Sequence, residues 1–258
     1  MLSVVVVYTD EDVLRSWTLA SIYSQRISCE LILLDNRDNK YRSAAMALNA
    51  GCGKATGDYI MCVHQDVRFE SNDFFSHLIS YMKNLEHVGI AGVAGMSRSG
   101  ANFYARCRNQ VSHGYPEKST WGNPINSPEE VQTLDECLIV IPRAVYNSHP
   151  FDEVTCDNWH LYAVDYCLTM IEHGFKVYAL PLHIYHKFTG TSIFKRVMIW
   201  DSEQTSNYYH SLRKVLSKHR EYFRTIHTTC GEWSTAYGVT IQRIYKGIRR
   251  RISMPVDV

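Results

Sequence analysis

The sequence predicts an α/β fold, a mostly parallel central sheet flanked by helices and followed by a helical C-terminal extension. Three observations carry that expectation. Strand and helix signals alternate over residues 1–95, the order left by parallel strands with covering helices. The early strand runs close on polar side chains at Thr9-Asp10, Asp35-Asn36 and His64-Gln65-Asp66. From about Ile193 the apolar residues recur at helical spacing instead.

Each element has its own reason. Ser3 to Tyr8 is a β-branched run that reads as a buried strand, and Asp10 or Asp12 caps a helix reaching about Tyr23. Glu30 to Leu34 forms a second strand and Ser43 to Cys52 a second helix. Tyr59 to Val63 is too short for a helix and lies between Gly57 and polar residues, so it is the third strand. A helix over about Asn72–Asn84 and a strand at Val88–Ala94 follow. From Met96 to Thr133 Gly, Ser, Asn and charged residues dominate, with Tyr115-Pro116, Asn123-Pro124 and Ser127-Pro128 as breakers, which predicts an irregular insertion. Leu138–Ile141 restores a strand, Asn158–His173 is helical with Gly174 as its C-cap, and Lys176–Pro181 is a further strand. In the extension, Phe194, Val197, Met198 and Trp200 form one apolar face and Tyr208, Tyr209, Leu212, Val215 and Leu216 another. A last helix, about Val239 to Ile252, sets Ile241, Ile244, Tyr245 and Ile248 against Arg243, Lys246, Arg249, Arg250 and Arg251. The expected division is 1–192 for the α/β domain and 193–258 for the extension.

Bulk properties narrow the function classes. A chain of 258 residues, 45% apolar, can bury one sizeable core, and a formal net charge of +1 gives no reason to expect a nucleic-acid partner. No apolar run approaches the roughly 20 residues of a membrane span, and Leu2-Ser3-Val4-Val5 follows Met1 without a basic leader. The expectation is a cytoplasmic protein. Its basic last helix either touches the inner face of the cytoplasmic membrane or packs on its own domain with a solvated basic side. The eight cysteines include no CxxC pair, and Cys62, Cys137 and Cys167 sit in apolar runs. Reduced, mostly buried thiols are expected, not disulfides or a zinc site.

The most informative stretch is Gly57-Asp58-Tyr59-Ile60-Met61-Cys62-Val63-His64-Gln65-Asp66-Val67. It ends a buried strand in a histidine and a carboxylate, at the end of an open sheet where ligands collect. A plainer reading has Asp66 or Ser71 capping the next helix. At the first turn, Tyr8-Thr9-Asp10-Glu11-Asp12 is acidic where a dinucleotide site carries GxGxxG and a nucleotidyltransferase a basic, glycine-rich loop. Both classes are disfavoured.

Over roughly Ser3 to Ser192 the chain resembles the inverting family 2 glycosyltransferases of the GT-A fold. The residues that carry the likeness are Ser3-Val4-Val5-Val6-Val7-Tyr8-Thr9, Leu31-Ile32-Leu33-Leu34-Asp35-Asn36, and Ala47-Leu48-Asn49-Ala50-Gly51 followed by Ala55-Thr56-Gly57-Asp58-Tyr59-Ile60. His64-Gln65-Asp66 stands where that family usually has Asp-x-Asp. The resemblance implies transfer, with inversion, from a nucleotide diphosphate sugar, a UDP-sugar foremost. The acceptor would be a saccharide or lipid-linked saccharide in cell-surface polysaccharide or glycan synthesis. Thr9, Asp35, Asn49, His64 and Gln65 would contact the donor, with Asp35 at the base. Asp66 and His186 would hold a divalent metal, Mn2+ rather than Mg2+ because imidazole suits a transition ion. His183 is left structural.

Counting back from Gly174, the family's catalytic aspartate falls on Ala163. Inverting transfer needs a proton acceptor, so the resemblance leaves His160, Asp157 and Asp165 as replacements, His160 first. Trp121, Trp159 and Tyr162 offer rings for an acceptor sugar, and Asp135 and Glu136 fall where the family lines its acceptor pocket. The missing carboxylates also admit an alternative, a catalytically degenerate nucleotide-sugar-binding protein.

Overall fold

β-Branched runs build the sheet, and short helices cover it. The computed structural model describes residues 1–109, 111–114, 119–187 and 203–253. β1 (Leu2–Tyr8) leads into α1 (Glu11–Val13), a π-helical stretch at Leu14–Leu19 and α2 (Ala20–Tyr23). Asp10 caps that helical segment by accepting the Val13 amide at 3.0 Å. β2 (Glu30–Asp35), α3 (Ala44–Cys52), β3 (Tyr59–Val63), β4 (Val67–Phe69), α4 (Phe74–Asn84) and β5 (Val88–Gly92) follow. Ser43 caps α3. α3 lies so close to the sheet that a Cβ at Gly51 would meet Val5 Cγ1 at 2.6 Å.

The insertion is folded, contrary to expectation. It holds β6 (Gly95–Met96), α5 (Phe103–Arg106), β7 (Cys107–Arg108), β8 (Val111–His113), β9 (Ser119–Trp121), β10 (Glu129–Glu130) and β11 (Thr133–Leu134). Strands of two or three residues are too short to leave an alternating pattern. β12 (Leu138–Pro142), α6 (Arg143–Ser148), α7 (Tyr162–Glu172), β13 (Lys176–Ala179) and β14 (Ile184–His186) complete the α/β part.

The main sheet runs β10-β13-β5-β12-β3-β1-β2. β1 is parallel to β2 and β3, and β13 to β5, but β12 is antiparallel to both its neighbours and β10 to β13. The sheet is therefore mixed where a mostly parallel one was expected. β6 pairs with both β11 and β7, while β4, β14, β8 and β9 make a four-stranded sheet beside the main one. One apolar cluster, around Val5, Leu48, Ile139 and Cys167, fills one face of the main sheet. Another, around Val4, Met61, Phe75 and Leu138, fills the opposite face. All eight cysteines are free thiols, Cys29 and Cys230 half-buried and the others buried.

Two further corrections concern the end of the chain. The helix expected from Asn158 starts only at Tyr162, because Leu161 adopts φ 67° and breaks the helical path. Its C-terminus falls as expected, with Gly174 at φ 79°. The extension is not purely helical: between α8 (Glu203–Lys218) and α9 (Val239–Ser253) stands a hairpin of β15 (Thr225–Thr228) and β16 (Gly231–Ser234). Leu161, Val164 and Leu168 at α7 pack with Tyr208, Leu212 and Val215 of α8 and with Ile226 and Trp233 of the hairpin, so the extension docks on α7.

In the described part of α9, the basic residues Arg243 and Lys246 pack inward where a solvated basic side was one expectation. Arg243 lies over the Tyr209 ring at 4.0 Å and Lys246 over Trp233 at 3.4 Å, while Ile241, Ile244 and Tyr245 are 63%, 52% and 61% exposed. The 192/193 division and the face of Phe194, Val197, Met198 and Trp200 lie outside the described residues, as do the side chains of Ile248 and Arg249 to Arg251.

Candidate functional site

The turn after β3 is braced from below. The buried Thr18 hydroxyl lies 2.9 Å from the carbonyl oxygens of both His64 and Val67 and accepts the Val67 amide. Gln65 fastens it sideways: its Oε1 accepts the amides of Thr9 and Asp10 at 2.8 and 2.9 Å. The ends of β1 and β3 are thus held together. Asp66 does not cap a helix, since the chain runs straight into β4.

β14 pairs antiparallel with β4, His186 opposite Val67, and the Lys187 amide donates to the Asp66 carbonyl at 2.9 Å. This places His186 Nε2 3.2 Å from Asp66 Oδ1. The His64 and His186 rings stand 5.5 Å apart, and one ligand atom each from His64, Asp66 and His186 lie within 4.8 Å of one another. Two imidazole nitrogens and a carboxylate oxygen form a donor set that suits a borderline transition ion. Burial, reinforced by the charge of His186, lowers the His64 pKa and favours the neutral form that ligates metal. Burial would raise Asp66, but the hydrogen bond and charge of His186 outweigh it and hold the carboxyl at about 2. At His186 burial is likewise outweighed, here by Asp66, and the pKa rises.

His113 joins this cluster, and the sequence reading missed it. β8 runs parallel to β14 with His113 opposite His186, their rings 5.6 Å apart. The only available signal was a three-residue strand inside a segment that reads as irregular.

The other expected donor contacts are occupied in different ways. Arg37 forks onto both Asp35 oxygens, reaches Glu11 Oε2 at 2.8 Å and lies over the Tyr8 ring. Its hydrogen bonds hold the Asp35 carboxyl far below the usual carboxylate range. Asp35 is thus one half of an ion pair, not a bare carboxylate. Asn49 is a structural anchor: its amide donates to the Phe151 carbonyl and to Glu153 Oε1 at 2.9 and 2.8 Å and accepts the Phe151 amide at 3.0 Å. The Tyr146 hydroxyl stands 3.3 Å from the same Oδ1, so the amide ties α3 to the loop before α7 with all four of its hydrogen-bonding positions taken.

All three expected proton acceptors face the C-terminal extension. Asp157 is exposed and pairs with Lys214 at 2.6 Å and His210 at 3.4 Å. The His160 ring packs edge-on against Tyr208 at 5.9 Å, and burial lowers its pKa. Asp165, buried, bonds His219 at 2.9 Å and Lys218 at 2.8 Å, and His219 in turn reaches Glu172 at 2.6 Å. Because the helix starts at Tyr162, neither Asp157 nor His160 lies on it.

On the acceptor side, Trp159 is 40% exposed, while the Trp121 side chain lies outside the described residues. Tyr162 is buried, so it is no sugar platform; its hydroxyl donates to the Glu136 carbonyl at 3.0 Å and stands 3.3 Å from His64 Nε2. Asp135 accepts the Cys137 amide and the Thr229 hydroxyl, each at 3.0 Å. Its negative charge acts on His64, His113 and His186. Burial, and then the Asp135 charge, push the Glu136 carboxyl up to about 8.

A family model described as a glycosyltransferase-like family matches residues 4–213. No curated protein sequence matches. Among solved structures, GalNAc-T7 with UDP, GalNAc and Mn2+ superposes with a TM-score of 0.58 at 12% identity, covering 86% of this chain and 50% of that one. The mannosyltransferase PcManGT from Pyrobaculum calidifontis, in complex with GDP-Man and Mn2+, gives 0.57 at 12% identity over 86% and 64%. TarS 1-349 from S. aureus, in complex with UDP-GlcNAc, gives 0.55 at 12% identity over 98% and 73%. The chain thus spans half of the first of these proteins and under two thirds of the second. At such identities the likeness shows the fold, that of GT-A glycosyltransferases.

Proposed function

The chain belongs to the glycosyltransferase-like family, and on that premise we propose that it is a metal-dependent inverting transferase of sugar from a nucleotide diphosphate donor, a UDP-sugar foremost. One observation carries the reading: His64, Asp66 and His186 converge where β3 of the main sheet ends and β14 of the sheet beside it comes alongside. They would hold the divalent ion, Mn2+ suiting their two imidazoles better than Mg2+. Bound there, the ion would supply positive charge to the departing diphosphate. Gln65 fixes the turn that presents two of the three ligands. Arg37 and Asp35 meet the base with donors and acceptors together. Tyr162 orients the His64 ring. The exposed Trp159 ring offers a sugar acceptor an apolar face.

The acceptor is a saccharide or lipid-linked saccharide, and the site of action is the cytoplasm at the inner membrane face. The outward Ile241, Ile244 and Tyr245 support membrane contact, as does the absence of any Asp or Glu among residues 239–253. No helix among the described residues is long and apolar enough to cross a membrane. Calorimetric titration with UDP, with and without Mn2+, tests the reading: Asp66→Ala should abolish the gain in UDP affinity that Mn2+ gives. Equal gains in variant and wild type would remove the metal assignment.

Ala163, at the family's base position, favours a second reading, a protein that binds nucleotide sugars without turnover. Release of UDP from a donor panel separates the two.

A further inference from the structure

We propose that Glu136 is the proton acceptor of the transfer, its carboxylate taking from the strand side the place of the one that Ala163 lacks. The inference rests on the glycosyltransferase reading above.

Position comes first. β12 runs antiparallel to β3 with Leu138 opposite Val63, and the His64 amide donates to the Cys137 carbonyl at 3.0 Å. That register, continued past the strand ends, sets Glu136 across from Gln65, inside the metal motif. Tyr162 then links the Glu136 backbone to the His64 ring.

The helix start comes second. Leu161 enters α7 at φ 67° and ψ 13°, a left-handed conformation disfavoured for a branched side chain, and no side chain caps the helix. The amides of Leu161, Tyr162 and Ala163 face the Glu136 carboxyl. A carboxylate on residue 163 would spring from this same turn. Strained backbone of this kind collects at functional sites.

A cap from a distance would explain the approach of those amides without chemistry, but it leaves a carboxylate oxygen unsatisfied. Glu136 Oε1 is buried and has no hydrogen-bond partner among the described residues. A buried acceptor left unpaired is rare, and a substrate hydroxyl is the partner that this one lacks. The raised pKa adds support, since a base is most effective when its pKa lies near the working pH.

In the step itself, Glu136 takes the proton of the acceptor hydroxyl as that oxygen bonds to the anomeric carbon. The bond from that carbon to the diphosphate oxygen breaks, and its electron pair leaves with the nucleoside diphosphate. The charge lost from the carboxylate reappears on the leaving group.

The test uses the full chain with Mn2+, a donor panel of UDP-glucose, UDP-galactose, UDP-N-acetylglucosamine and GDP-mannose, and water and methyl glycosides as acceptors. The wild type should release nucleoside diphosphate from at least one donor. Glu136→Gln should retain Mn2+-dependent UDP affinity and lose release by about 100-fold or more. Glu136→Ala should recover part of that loss when formate is added. Release by Glu136→Gln within about 3-fold of wild type would overturn the proposal while leaving the transferase reading standing. No release by the wild type from any donor would overturn that reading, and the proposal with it. Should the glutamine variant fail to fold, Glu136→Asp asks the same question with the charge kept and the carboxylate drawn back by one methylene. Full release from it would overturn the proposal.

Discussion

Asp165→Asn separates a structural carboxylate from a catalytic one. Asp165 is 2% exposed and joins α7 to the extension through Lys218 and His219, the latter fully buried. Breaking a buried ion pair by removing one partner costs about 3–5 kcal/mol, because a charge is left uncompensated. Neither partner is left bare here. Lys218 keeps Asp152 at 3.0 Å and His219 keeps Glu172 at 2.6 Å, so the cost belongs at the lower end, about 3 kcal/mol. For a chain of this size that lowers the melting temperature by about 6–12 °C. Differential scanning calorimetry measures the shift, and release of nucleoside diphosphate per folded molecule should stay within about 2-fold of wild type. A variant that melts with the wild type and loses about 100-fold in turnover would refute the argument and return Asp165 to the list of bases.

In metal-free protein, Asp66 is held at about 2 against an ordinary 3.8, so its contribution, about 2 kcal/mol, is present above the ordinary value and lost as pH falls toward 2. His186 is raised above 6.5, so its contribution is present below 6.5 and lost as pH rises through the higher value. The melting difference between wild type and Asp66→Asn should therefore be largest between about pH 4 and 6.5, shrinking as pH falls from 3.8 toward 2 and as it rises past 6.5; a difference flat across that range would contradict the pairing. His113→Ala should weaken Mn2+-dependent UDP binding by about 10-fold in calorimetry, the usual cost of losing a group that supports a metal's ligands; unchanged binding would exclude His113 from the site. Cosedimentation should show binding to phosphatidylglycerol vesicles, not to phosphatidylcholine, with loss in Ile244→Asp and at high salt.

What was legible in the sequence depended on run length. β1, β2 and β3 are five to seven residues of apolar chain ending in polar side chains, and each was read to within a residue or so. The strands of the insertion are two or three residues long, and their pairings, with one another and with β13 and β14 further along the chain, define them. His113 was invisible for that reason. The direction of β12 was invisible too, since no local pattern tells a parallel strand from an antiparallel one when both faces are buried. The hairpin at Thr225–Ser234 was hidden by the strong helical periodicity on either side of it.

The proton acceptor fails to show in sequence for a different reason. Counting along a helix assumes that function stays in register with the family pattern, and here the register holds while the carboxylate has moved to another element. Ala163 is fully buried, and its amide, with those of Leu161 and Tyr162, faces the carboxyl of Glu136, more than twenty residues earlier in the chain. The metal motif departs from the pattern at its first position, where an imidazole, His64, stands on the same strand end, and His113 of β8 adds another imidazole beside His186 that only the folded chain brings there. An unpaired, buried carboxylate oxygen beside the site costs the fold stability, and in the proposed step the acceptor hydroxyl is the partner that offsets it.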